Sequence, residues 1–149
     1  QVDMRAYIKS LAAHLIRTDG WQGRTEVRAE EITLDIDTAV VCGLIVNELL
    51  SNVFKHARGG DGASSITVHL NPLSKHECEL FVSDDGPGLP EDVDLARPAS
   101  LGLRLVSLLA RQLNGRAEIA SRRPATFRVR FALPLSEGGN GAEGTNSDR

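Results

Sequence analysis

The stretch "VNELLSNVFKHA", Val46 to Ala57, decides how the rest of the chain is read. At about 100° per residue it forms a helix in which Val46, Leu50, Val53 and Ala57 point one way, while Glu48, Asn52, Lys55 and His56 fall on the other side. A solvated face is the ordinary explanation of polar residues opposite a core stripe. Here, however, Val41, Leu44 and Ile45 occupy that same side one or two turns earlier. The side therefore changes from apolar to polar in mid-helix, which a plain solvated face would not do. A carboxylate, an amide, an amine and an imidazole at one end of one stripe point to a site.

The 149 residues suit a single domain with one core. Aromatic residues make up only 4% of the chain, so aliphatic side chains must build that core. No tract approaches the ~20 apolar residues of a membrane span, and no signal peptide precedes the first helix, which reads as a soluble, cytoplasmic domain without membrane contact. A formal net charge of -3 argues against a general nucleic-acid binder. Even so, Arg104, Arg111, Arg116, Arg122, Arg123, Arg128 and Arg130 crowd a stretch whose only acid is Glu118. They form either a solvated face or a surface for an acidic partner or phosphates. Cys42 and Cys78 lie in apolar runs without metal-ligand spacing and are expected to be buried, reduced thiols.

Along the chain, a helix is expected from Asp3 to about Thr18, with Tyr7, Leu11 and Leu15 beside Ile8, Ala12 and Ile16, capped by Asp3 and ended by Gly20. His14 falls inside it with no acidic or metal-ligand neighbour and reads as a packed or half-exposed residue. Thr25 to Ile36 reads as a strand, and Asp37 as the cap of the long helix that follows. In "SSITVHLN", Ile66, Val68 and Leu70 alternate with polar residues, and "ECELFVSDDGPG" puts Cys78, Leu80, Val82 and Asp84 on one strand face. A short acidic connector, Glu91 to Ala99, leads to Ser100, which can cap "LGLRLVSLLARQLNG"; Asn114-Gly115 ends that helix. The strands "RAEIAS" and "TFRVRFAL" follow, and residues 136–149 read as a disordered tail behind a folded domain of residues 1–135. This order gives an α+β two-layer sandwich, with helices on one face of a mixed, largely antiparallel sheet.

Three local signals accompany the polar stripe. Asp84 ends a strand just before Gly86 and Gly88, where a missing Cβ lets the backbone pass close to a flat ligand. Gly102 sits in the first turn of a helix, whose N-terminal amides can receive an anion. Each cluster alone is also an ordinary turn or helix start. Together with the helix they describe a nucleotide site.

At this point the chain resembles the ATP-binding catalytic domain of sensor histidine kinases, in the superfamily that includes gyrase, Hsp90 and MutL-type ATPases. "NELLSNVFKHA" is similar to its N box, "DDGPGLP" to its first glycine box, "SLGLRLV" to its second and "ATFRVRFALP" to its closing strand. The likeness spans Val2 to Leu135, and its details are most similar to HWE-type and related bacterial histidine kinases. The resemblance implies the ATPase fold known as the Bergerat fold, with ATP and Mg²⁺ as ligands. By the same resemblance Asn52 holds Mg²⁺, Glu48 orients a metal-bound water or accepts a proton, Lys55 meets the phosphates and His56 lies against adenine or ribose. Asp84 accepts from the adenine amino group, Gly86 and Gly88 shape the adenine pocket, and Ser100, Leu101, Gly102 and Leu103 meet the triphosphate. Thr126 belongs to the pair that opens the closing strand. Two positions depart from the family pattern: Ser100 and Ala125 stand where glycines are common.

The implied activity is transfer of the γ-phosphoryl group to a histidine on a dimerisation region, then to a response regulator, by a homodimeric parent. None of His14, His56, His69 and His76 has the helical acceptor context, so the acceptor is expected outside this chain. Alternatives within the fold are an anti-sigma-factor serine kinase, a protein-binding switch or a catalytically inactive nucleotide sensor. A non-nucleotide interaction domain is the alternative outside it.

Overall fold

The computed structural model describes residues 1–56, 65–96 and 100–133. Ala57, the end of the acidic connector and the expected tail lie outside the described residues.

The chain opens with β1 (Val2–Asp3) and α1 (Met4–Asp19), followed by β2 (Arg24–Ala29), β3 (Thr33–Leu34) and α2 (Ile36–His56). Asp3 accepts from the Ala6 amide at 3.3 Å and Gly20 ends α1 in the left-handed region at φ 81°, its N–H returning to Ile16. The segment expected as one strand from Thr25 to Ile36 is two. β2 joins the main sheet, whereas β3 pairs with β1 as a separate antiparallel ribbon. The polar pair Glu30-Glu31 interrupts the alternation between them. The cap of α2 is Asp35, which accepts from the Thr38 amide at 3.3 Å, and Asp37 falls inside the first turn. Its acid there still suits the positive end of the helix dipole.

The second half adds β4 (Ser65–Pro72), β5 (Glu77–Asp84), α3 (Leu101–Gln112), β6 (Arg116–Arg122) and β7 (Ala125–Ala132). The main sheet runs β2-β4-β5-β7-β6. β2 and β4 are parallel because α2 provides the crossover between them, and the remaining neighbours are antiparallel. The fold is therefore α+β with a mixed, largely antiparallel sheet.

Alternation decides which sheet face is covered. Ile66, Val68 and Leu70 of β4, Cys78, Leu80 and Val82 of β5, and Phe127, Val129 and Phe131 of β7 are all buried against the helices. α2 sits between α1 and α3, contributing Ile45, Val46, Leu49, Leu50 and Val53 to the same core. A Cβ on Gly43 would overlap the Tyr7 ring, so the glycine lets α1 approach α2 closely. By length and composition α2 could cross a membrane, but half of that apolar stretch is buried in this core.

The opposite sheet face carries cross-strand polar pairs in register. Arg128 meets Glu118 at 2.9 Å and Arg130 meets Glu79 at 3.1 Å. Two of the seven clustered arginines are thus paired, one of them through an acid from β5 that the local sequence does not contain. The partly exposed Arg128–Glu118 pair contributes at most about 1 kcal/mol, whereas Glu79 is buried and Arg130 offsets the cost of desolvating its carboxylate. The two pairs account for those two arginines as cross-strand partners on the sheet face opposite the helices.

Candidate nucleotide-binding site

The cavity forms where the C-terminal turns of α2 meet the carboxyl end of β5. It has a volume of about 160 Å³ and is lined by Asn52, Val53 and His56 from α2, Asp84 from β5, Pro87 to Pro90 from the following loop, and Ala125 and Phe127 from β7. That volume is below the ~300–1,000 Å³ of pockets that enclose a whole ligand. It suits one flat ring system with the rest of the ligand outside. Two wider grooves of 680 and 720 Å³ lie along β6 and contain none of the expected site residues. Convergent polar groups, not size, single out the smaller cavity.

Asp84 is half-buried at the strand end and accepts from the Gly86 amide at 2.8 Å. Burial pushes its carboxyl above the usual range; the Gly86 N–H opposes the shift, neighbouring Asp85 adds to it, and His56 opposes it. Asp85 faces elsewhere: its carboxylate accepts from the Ser65 amide at 2.9 Å and its own amide donates to the Ser65 carbonyl, extending the ladder with β4. The two adjacent acids therefore divide the work, one closing the sheet and one lining the cavity.

Gly88 holds φ +94°, and a Cβ there would stand 2.6 Å from the Arg122 carbonyl oxygen. Glycine is required on both counts. The Leu89 amide donates to that carbonyl at 2.8 Å, pinning the loop to the end of β6.

At the start of α3, Ser100 takes the cap position and its Oγ accepts from the Leu103 amide at 3.2 Å. Leu101 is exposed, Leu103 is buried, and Gly102 is half-exposed against α2. A Cβ on Gly102 would stand 2.7 Å from Glu48 Oε2, so the Glu48 carboxylate lies directly over the first turn of α3. Lys55 is exposed in the last turn of α2 and does not line the cavity.

The structure thus brings Asn52, His56, Asp84 and Gly88 to one cavity, with Gly86 bonded to Asp84, and joins Glu48 to Gly102 beside it. Thr126 is not brought in. Alternation turns its side chain away from the cavity that Ala125 and Phe127 line, and its hydroxyl lies 2.9 Å from that of Ser83 on the open sheet face. The apolar lining residues Val53, Leu89 and Phe127 carry no polar signature, and sequence alone assigns them only to the core.

Comparison with known proteins gives this geometry a family. The model of the "Histidine kinase-, DNA gyrase B-, and HSP90-like ATPase" family matches residues 37–137. The chain is 28% identical over 137 residues to blue-light-activated histidine kinase 2 of Erythrobacter litoralis, covering 91% of this chain and 39% of that protein. It is 31% identical over 108 residues to the sensor histidine kinase PdtaS of Mycobacterium tuberculosis, covering 71% of this chain and 21% of that one. The solved structure of the Erythrobacter litoralis EL346 blue-light-activated histidine kinase superposes with a TM-score of 0.78 at 29% identity, over 92% of this chain and 43% of that one. The chain spans less than half the length of these relatives. It belongs to the histidine kinase-, DNA gyrase B- and HSP90-like ATPase family, as an ATP-binding domain of the sensor histidine kinase type.

Proposed function

We propose that this domain binds ATP with Mg²⁺ and donates the γ-phosphoryl group to a histidine on a dimerisation region of a longer, homodimeric kinase that signals to a response regulator. The observation that carries the reading is the cavity shared by the half-buried Asp84 carboxylate and the Asn52 amide. Asp84 accepts from the exocyclic amine of the adenine, the loop from Pro87 to Pro90 and Phe127 enclose the ring, and His56 covers its outer edge.

The donor set fits Mg²⁺. Among the described residues no group of three or more His, Cys, Asp or Glu forms a protein cage for a cation. A single amide oxygen from Asn52 suits an ion that keeps waters and takes its remaining ligands from phosphates. When bound, the ion offsets the negative charge that the triphosphate carries at the transferred group. Lys55, exposed in the last turn of α2, adds a second positive charge there. Glu48, which lies over Gly102 one turn from Asn52, accepts the proton of the attacking nucleophile or orients a water.

Thermal denaturation with and without ATP and Mg²⁺ tests the reading: saturating ligand raises Tm, by linkage between binding and folding. No rise, together with no response of a fluorescent ATP analogue, contradicts it. Radiolabelled ATP with the longer parent then distinguishes acid-labile phosphohistidine from acid-stable phosphoserine, which would instead favour a serine kinase.

A further inference from the structure

Arg122 belongs to the arginine-rich stretch, yet the pairs that explain Arg128 and Arg130 leave it out. Its guanidinium reaches across to the loop after β5, where Nη1 donates to the Pro90 carbonyl at 3.0 Å and Nη2 to the Val93 carbonyl at 2.9 Å. Its own carbonyl accepts from the Leu89 amide and is, with Arg123 Cγ, one of the two atoms that a Cβ on Gly88 would meet most closely. One residue at the end of β6 therefore holds main-chain atoms at Leu89, Pro90 and Val93. Pro87, Gly88, Leu89 and Pro90 form one wall of the 160 Å³ cavity.

We propose that Arg122 is a positioning residue for this cavity: its planar fork bridges two carbonyls of the loop and fixes the wall against which the ligand ring stacks. The proposal rests on the nucleotide reading above for the ligand's identity, but the clamp itself is a property of the ligand-free protein. A lysine cannot replace the fork, because one ammonium on a flexible stem cannot span both carbonyls in a fixed plane. The apparent affinity is the intrinsic affinity multiplied by the fraction of molecules whose wall is competent.

The test compares Arg122→Ala and Arg122→Lys with Arg116→Ala, which removes the same charge from the 680 Å³ groove that both arginines line and leaves the Arg122 bonds to Pro90 and Val93 in place. Backbone hydrogen exchange over residues 86–96 is read in the ligand-free proteins, the dissociation constant of a fluorescent ATP analogue with Mg²⁺ is measured, and Tm is followed. Arg122→Ala is expected to speed exchange in the loop and to weaken binding about tenfold. Arg122→Lys should fall close to it, Arg116→Ala should match the wild type, and saturating nucleotide should restore slow exchange. Unchanged exchange in Arg122→Ala, faster exchange with affinity within twofold of wild type, or the same loss in Arg116→Ala overturns the proposal. A wild type that binds no nucleotide overturns the function proposed above instead, and the exchange measurement then decides the clamp by itself.

Discussion

Glu48 and Gly102 touch across two helices: only the absence of a Cβ at 102 leaves room for Glu48 Oε2, which a methyl group there would meet at 2.7 Å. Because the clashing atom is the far end of a flexible side chain, Gly102→Ala is accommodated by rotating the carboxylate away. Tm should stay within a few degrees of wild type, while phosphoryl transfer by the full-length parent falls about ten- to a hundredfold, part of the ~10²–10⁴ that a placed acid-base group contributes. Glu48→Asp, with its shorter reach, should recover part of the loss in the Gly102→Ala background. A Tm drop without recovery would show that the glycine serves packing alone.

Gly88 behaves differently. Its φ of +94° and the Arg122 backbone oxygen 2.6 Å from the missing Cβ leave nothing flexible to give way. Gly88→Ala should cost roughly 1–3 kcal/mol, lower Tm by several degrees and weaken nucleotide binding as the loop lifts from β6. Thermal denaturation and a binding titration on the same sample check both.

Ionised Asp84 is a cost to the ligand-free fold. Its folded-state pKa is raised, chiefly by burial, so the folded protein prefers the protonated form more than the unfolded chain does. The contribution is fully favourable below the unfolded carboxylate pKa and is lost as pH rises through the folded value. Asp84→Asn, which keeps an acceptor for the Gly86 amide, should therefore raise Tm at pH 7 without nucleotide, and that gain should shrink toward pH 4. A gain that grows on acidification would contradict the sign.

Cys42 and Cys78 are both buried, and burial pushes each thiol up to about 12. Neither should react with a thiol-alkylating reagent at pH 8 in the native protein, and both should react once it is denatured. Mass spectrometry after timed labelling reads this directly.

Much of this architecture was legible because short-range chemistry dictates it. Asp3 and Gly20 bracket α1, and alternation in β4, β5 and β7 assigns the covered sheet face. The mid-helix change of polarity in α2 finds one side of the cavity. The two-residue strands β1 and β3 were not legible, since pairing between Val2 and Leu34 is a tertiary fact with no local period. Capping by Asp35 rather than Asp37 turns on where the first helical turn closes, which two acids so close together leave open. Thr126 is more instructive: Phe127, Val129 and Phe131 facing inward already require Thr126 to face outward, so alternation contained a signal that the family likeness overrode. The Arg122 clamp left no such trace, because its partners are main-chain carbonyls and any sequence supplies those.

The most direct measurement is the affinity for ATP with Mg²⁺ of the wild type beside Asp84→Asn, with GTP as the comparison. A carboxylate that accepts from the adenine amine predicts wild-type binding to ATP in preference to GTP, and a loss of about one to two decades of ATP affinity in Asp84→Asn despite its intact fold. Equal ATP affinity in the two proteins, or no discrimination between the nucleotides by the wild type, would contradict the account.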